Sequence, residues 1–252
     1  MELPSGKKVY FASDFHLGIS DLETSKNRER RLCRWLDEVA KDAHIIYLVG
    51  DIFDTWFEYK TVVPKGFTRL LGKLAQLTDS GITIEAFTGN HDLWMFGYFE
   101  EELNIKVHRA PIEREFNGVR FIIAHGDGLG PGDNGYKLLK AVMSSKLCQW
   151  LYARFHPNFG IGVAGYLSRL GPKHTTAEPE EKFLGEQEWL VQFARNELKT
   201  KKVNYFIFGH RHIAKVYPLT EDAQYINLGD WIAYDSYAVF DGTKTELKYY
   251  NK

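Results

Sequence analysis

The sequence predicts a mixed α/β sandwich, and three observations carry that expectation. Five short runs are almost continuously apolar and rich in β-branched and aromatic residues, as strands covered on both faces are. Amphipathic stretches with helical spacing separate the first three of these runs. The last part of the chain changes to hairpin-like strands in place of strand–helix units, which favours a sandwich over a barrel.

The elements follow in order. "KKVYFAS" (7–13) reads as the first buried strand. "SKNRERRLCRWLDEVAKD" then reads as a helix, because Leu32, Trp35, Leu36 and Val39 return to one face. "HIIYLVG" (44–50) is the second strand, and "FTRLLGKLAQLTDSG" the second helix, with Phe67, Leu70, Leu71, Leu74 and Leu77 as its stripe. "ITIEAFTG" (82–89), "VRFIIA" (119–124) and "VNYFIFG" (203–209) complete the buried set. Beyond them "HIAKVYPL", "AQYINLGD", "YAVFDG" and "TELKYY" read as further strands. His125 and His210 are 85 positions apart, more than one strand–helix–strand step needs. A helical insert over about 130–200 is therefore expected within a single domain spanning 1–252, ending in a long helix, "EKFLGEQEWLVQFARNELK".

Composition excludes several classes. A chain of 252 residues with 44% hydrophobic and 26% charged residues can build a sizeable core and reads as globular. A net charge of −1 argues against a nucleic-acid binder. Cys33 and Cys148 are far apart with no CxxC pair, so reduced thiols in a cytoplasmic protein are expected, not a disulfide framework. The opening "MELPSGKKVYFASD" has no signal-like apolar stretch, and no window reaches transmembrane length. There is no internal repeat, and nothing marks an obligate protein partner.

The tips of the five buried strands are where chemistry is concentrated. Asp14 and His16 follow the first and Asp51 the second; Asn90, His91 and Asp92 follow the third. His125 and Asp127 follow the fourth, and His210 and His212 the fifth. Taken singly, an Asp after a strand is a turn or cap residue and a lone His a satisfied surface or core group. That plain reading is kept for His44, His108, His156 and His174. Five successive tips loaded this way point instead to one ligand-binding edge, since carboxyl ends of strands in open α/β sheets line the ligand crevice. Imidazole nitrogens with carboxylate and amide oxygens, and no thiolate, suit Mn, Fe, Zn or Ni. Asp14, His16, Asp51, Asn90, His125, His210 and His212 are seven such groups, more than one tetrahedral ion needs, and suggest two metals about 3.5–4 Å apart sharing a carboxylate.

The motifs "DFH", "GD", "GNHD", "HGD" and "GHRH", in this order over Asp14 to about Asp230, resemble those of the calcineurin-like metallophosphoesterases. The resemblance implies a four-layer αββα sandwich of two mixed sheets with helices outside. It implies one divalent metal on Asp14, His16, Asp51 and His212, and a second on Asp51, Asn90, His125 and His210, with Asp51 bridging. Manganese is the first expectation, with Fe, Zn or Ni as alternatives. His91 would stand beside the leaving group and Asp92 would orient it.

The region after "HGD" is similar to the UDP-2,3-diacylglucosamine diphosphatase branch of that superfamily, on "HGDGLGPGDNGYKLLK", "NLGDWIAYDSYAVFD" and the insert itself, which in that branch is a lid. The implied reaction splits the diphosphate of UDP-2,3-diacylglucosamine into UMP and 2,3-diacylglucosamine 1-phosphate (lipid X), a lipid A precursor, at the cytoplasmic face of the inner membrane. Asn90, Asp133, Tyr136, Lys140, Arg169 and Lys173 are the candidates for holding substrate. Asp54, Trp56 and Phe57 are possible lid or nucleotide neighbours. Two positions depart from the branch: His91 stands where its well-known members carry Arg, and "GHRHIAKV" replaces their "GHTHRP". The apolar, basic insert has two readings, an acyl-binding and membrane-facing lid or a helical subdomain with its own small core. A soluble phosphodiesterase or nucleotide pyrophosphatase is the alternative enzyme. A non-catalytic scaffold is the alternative of another class, disfavoured because all seven ligand positions are filled.

Overall fold

In the computed structural model the structure describes residues 1–19, 21–132, 134–170 and 183–250, without the side chains of 167, 169 and 170. The first half runs β1 (Lys8–Ala12), α1 (Leu22–Val39), β2 (Ala43–Val49), α2 (Thr68–Asp79), β3 (Thr83–Phe87), α3 (Tyr98–Leu103), β4 (Lys106–His108), β5 (Ile112–Phe116) and β6 (Val119–Ala124). Helices α4 (Asn134–Ser144), α5 (Lys146–Tyr152) and α6 (Pro157–Leu170) follow, then α7 (Trp189–Glu197). Strands β7 (Tyr205–Phe208), β8 (Ala214–Pro218), β9 (Gln224–Leu228), β10 (Ser236–Phe240) and β11 (Thr245–Tyr249) complete the described order.

The strands form two sheets, ordered β11-β10-β1-β2-β3-β4 and β5-β6-β7-β9-β8. In the first, β1, β2 and β3 are parallel neighbours; in the second, β6, β7 and β9 are. Alternate residues of each central strand serve two different cores, which is why these strands read as continuous apolar runs. Val9, Phe11, Tyr47 and Val49 meet Phe121, Ile123, Ile207 and Ile226 between the sheets. Their neighbours Tyr10, Ala12, Ile46 and Leu48 face outward against Leu32, Trp35 and Leu36 of α1 and Leu70 and Leu74 of α2. On the far side, Ile122, Ala124, Phe206 and Phe208 receive Leu190, Val191 and Ala194 of α7. The result is the αββα sandwich of two mixed sheets.

Four elements differ from the expected pattern. α3, β4 and β5 have no counterpart in the sequence reading. β5, "IEREF", is an edge strand whose exposed Glu113 and Glu115 flank the partly buried Arg114, so no apolar run marks it. The expected long helix over 181–199 is shorter: after a single turn at Gly185–Gln187 the backbone is extended at Glu188 (φ −64°, ψ 122°), and α7 begins only at Trp189. Glu188 is turned inward and only 1% exposed, for a reason the site supplies.

The insert is the least self-sufficient part of the fold. α4 and α5 contain no fully buried residue. Leu138, Leu147, Trp150, Phe155 and Phe159 are each at least half exposed. Among the described residues, α4 and α5 thus carry apolar faces with no fully buried side chain.

Candidate dinuclear metal centre

The topology delivers the expected ligands from both sheets to one place. Asp14 and His16 leave the end of β1, Asp51 the end of β2, and Asn90 the end of β3; His125 leaves β6, and His210 and His212 leave β7. Because the contributing strands are parallel within each sheet, their carboxyl ends lie side by side. The turns that bend the side chains inward are strained. Asp14, His16, Asp51, His210 and His212 have φ between 43° and 69°, and they are five of the nine non-glycine residues in the left-handed region among those described. Each such residue costs on the order of 1 kcal/mol, and strain of this kind collects at functional sites. Close approach is also demanded of two glycines. A Cβ on Gly89 would overlap the Asp51 carboxylate, and one on Gly209 would overlap the Asp14 carboxylate and the Ser13 side chain.

The ligand atoms fall into two sets. In the first, His212 Nε2 lies 3.3 Å from Asp14 Oδ1 and 3.2 Å from His16 Nε2, and His16 Nε2 lies 3.6 Å from Asp51 Oδ2. In the second, His125 Nε2 lies 3.3 Å from both Asp51 Oδ2 and Asn90 Oδ1, and His210 Nδ1 lies 2.8 Å from the same Asn90 oxygen. Ligands held about 2.0–2.2 Å from one ion are themselves roughly 3–3.6 Å apart, so these spacings fit a cation in each set. Asp51 Oδ2 belongs to both.

The surroundings fix which nitrogen two of the imidazoles present. His125 Nδ1 sits 2.9 Å from the Val49 carbonyl and His212 Nδ1 3.1 Å from Asp230 Oδ2, which leaves Nε2 of each for a metal. The carboxylates are tied as well: His210 N–H donates to Asp14 Oδ2 (3.0 Å) and His91 N–H to Asp51 Oδ1 (2.9 Å). Charge is tightly coupled here. Burial opposes ionisation of Asp14, yet His212 and His16 hold it down at about 2. Burial opposes a charge on His16, yet the carboxylates of Asp14, Asp54 and Asp51 hold it up at about 10. His125 is raised well above its ordinary value by Asp51 against the same burial, while burial and the neighbouring His125 lower His210 to about 4. Asp14, His16 and His212, and Asp14, Asp51 and His125, form clusters that could each hold a metal ion, with Asn90 and His210 beside the second.

The pairing of His91 differs from the expectation. Asp92 does not meet the His91 ring. Its carboxylate accepts N–H groups of Gly89 (2.7 Å) and Ile52 (2.7 Å), pinning the β3 loop to the β2 loop. Burial and then the Asp51 charge raise it to about 6. The group at the ring is Asp54: His91 Nδ1 lies 3.0 Å from the Asp54 carbonyl and 3.4 Å from its Oδ1. The side chains of His91 and Asp92 diverge in the bent loop after β3, whereas Asp54 arrives from a different loop. Ser168 of α6 donates to the same Asp54 carboxylate at 2.9 Å, linking the insert to the site.

Other candidates are distributed around this centre. Tyr136 Oη donates to Asp127 Oδ2 at 2.5 Å, and Lys140 Nζ lies 2.7 Å from the same oxygen, so α4 is fastened to the loop that carries His125. Asp133 and Lys173 lie outside the described residues, as does the side chain of Arg169. Above the metal ligands opens a cavity of 640 Å³. Asp51, Asn90, His91, His210 and His212 line one part, and Trp56, Trp94, Leu139, Met143, Tyr152 and Val163 line another. Tyr136, Ser168 and Arg211 also face it; Phe57 instead packs beneath Trp94 and Tyr152. Asp230, Ser168 and Arg211 were missed in the sequence. Asp230 alone had a signal, a Gly-Asp pair at a strand tip like Gly50-Asp51.

Comparison with known proteins agrees with this class. The profile of the calcineurin-like phosphoesterases matches residues 7–214, and the chain belongs to that family of metal-dependent hydrolases. Among curated relatives, a UDP-2,3-diacylglucosamine hydrolase of Porphyromonas gingivalis is 41% identical, covering 96% of this chain and 97% of its own. Proteins of the same name from Nitrosococcus oceani and Shewanella baltica are 27% and 25% identical, covering 88% and 89% of this chain and 87% and 89% of theirs.

Proposed function

We propose that the chain hydrolyses the diphosphate of UDP-2,3-diacylglucosamine, releasing UMP and 2,3-diacylglucosamine 1-phosphate. One observation carries this reading: the metal-ligand cluster and the apolar side of the insert line the same cavity. A site built for a phosphate alone has no use for Leu139, Met143, Tyr152 and Val163 there, whereas a substrate with acyl chains does. The similarly named relatives match nearly the whole chain, insert included, which supports it.

Two divalent ions, manganese first and Fe, Zn or Ni as alternatives, would supply Lewis acidity at the attacked phosphorus. Asp14, His16, Asp51 and His212 would hold one, and Asp51, Asn90, His125 and His210 the other. Water forms the new P–O bond as the bond to the bridging oxygen breaks. His91, its Nδ1 fixed on Asp54, is placed to protonate the departing phosphate oxygen. Asp92 keeps the Gly89 and Ile52 loops in register beneath it. Tyr136 and Lys140 seat α4 over the site through Asp127, while Asp133, Arg169 and Lys173 remain candidate substrate contacts.

The insert also suits peripheral contact with an anionic membrane face. Residues 134–177 contain no Asp or Glu in a chain that has 33, and they expose Leu147, Trp150 and Phe155 beside Lys146 and Arg154. No described helix is long and apolar enough to cross a membrane. The test is direct: purified protein with Mn²⁺ should release UMP and the lipid monophosphate from UDP-2,3-diacylglucosamine. Equal or faster turnover of a dinucleoside polyphosphate, which has no acyl chain, would establish the soluble pyrophosphatase instead.

A further inference from the structure

The cavity above the metal ligands has carboxylates, imidazoles and an amide among its described lining residues, but only one arginine or lysine, Arg211. It stands between the ligands His210 and His212, so its backbone is placed by the same strained turn. Its side chain is held on two sides. Nε donates to Glu188 Oε1 at 2.7 Å, and the guanidinium carbon lies 4.9 Å from the centre of the Trp189 ring. Glu188 is 1% exposed, and the chain breaks its helix at this residue to turn the carboxylate inward. Burying a carboxylate is expensive unless it is paired, and an apolar replacement would serve stability as well or better. An arginine aligned on a buried carboxylate and an indole is oriented before any ligand arrives, and its planar fork matches phosphate oxygens.

A diphosphate brings two charged groups into this cavity. The ions would serve the phosphorus under attack, but its neighbour needs a cation of its own. We infer that Arg211 is that cation: it binds the phosphate that is not attacked and so sets the preference for diphosphates over simple phosphodiesters. Glu188 is its positioning residue. The inference rests on the diphosphate reading above, and its test is separable from the identity of the lipid.

The experiment measures inhibition of bis-p-nitrophenyl phosphate hydrolysis by UDP and by UMP, with bound metal quantified in every variant. The wild-type protein should bind UDP more tightly than UMP by about 10- to 100-fold, the scale of a charge-assisted contact. Arg211→Met should shrink that ratio by about tenfold or more, and Arg211→Lys should retain part of it. Glu188→Gln should fall between Lys and Met, because the guanidinium is present but no longer aligned. An unchanged ratio in Arg211→Met with metal content intact overturns the inference, as does a wild-type protein with no preference for UDP. If Arg211→Met loses metal, the decision passes to Arg211→Lys and Glu188→Gln, whose ratios must still drop. A wild type that prefers UDP yet leaves UDP-2,3-diacylglucosamine intact refutes the proposed substrate while upholding the part played by Arg211.

Discussion

Replacing Leu139 and Met143 together with serine removes two apolar side chains from the cavity wall and leaves the metal ligands in place. Leu139 is 53% exposed and Met143 is more covered, so about half of the first side chain and a smaller part of the second are open to a bound acyl chain. Fully covering a Leu or Met is worth about 1.5–3 kcal/mol, so about half of Leu139 and roughly a quarter of Met143 give about 1.7 kcal/mol for the pair, or roughly 20-fold in affinity. The substitutions should spare α4 itself. Serine costs a few tenths of a kcal/mol in helix propensity, and the bond from Trp94 Nε1 to the Met143 carbonyl (2.9 Å) involves backbone that any residue supplies. The assay compares kcat/KM for UDP-2,3-diacylglucosamine and for bis-p-nitrophenyl phosphate on one preparation. The expected result is a loss on the lipid substrate at least tenfold larger than on the small diester, carried by KM. Equal losses on both would show that the insert acts through structure alone, and no loss on either would refute the acyl-binding wall.

Asp51→Asn alters the carboxylate shared by both ligand sets, and His210→Ala removes a ligand from one. Both should abolish turnover while the thermal melt stays cooperative, and near-normal activity in either variant would break the two-metal reading. Metal binding should release protons at pH 7, because His16, held at about 10, and His125, also raised, carry protons in the metal-free protein that a metal must displace. Affinity should therefore fall as pH falls; calorimetry in buffers of different ionisation enthalpy reads the release directly, and no buffer dependence would contradict it. Gly209→Ala drives a Cβ into Asp14 and Ser13, and should weaken metal binding at least tenfold and destabilise the fold by about 1–3 kcal/mol. Gly162→Ala, where nothing lies within 4 Å of the added carbon, is its control; equal metal affinity in the two variants would show that the close approach is relaxed at no cost.

The αββα frame and the ligand edge were legible in the sequence because their causes are local. A strand that serves two cores must be apolar at every position, and a ligand at its tip must be polar, so the boundary between the two marks both element and site. Val9 to Ala12 followed by Asp14 and His16 shows this in a few residues. β5 was not legible, because Glu113, Arg114 and Glu115 fill its middle and leave no apolar run. The sequence also offered no way to see which side chains meet across loops. Asp92 neighbours His91 in the chain but pins the loops together, and the partner of His91 is Asp54, brought near only when β2 and β3 lie side by side. Glu188 and Arg211 come from opposite ends of α7 and β7, and Ser168 reaches Asp54 from the insert. Strand periodicity and tip residues are settled by the burial of each short segment. The contacts that orient and hold the catalytic groups depend on where distant loops are carried by packed sheets, and tertiary structure alone decides that.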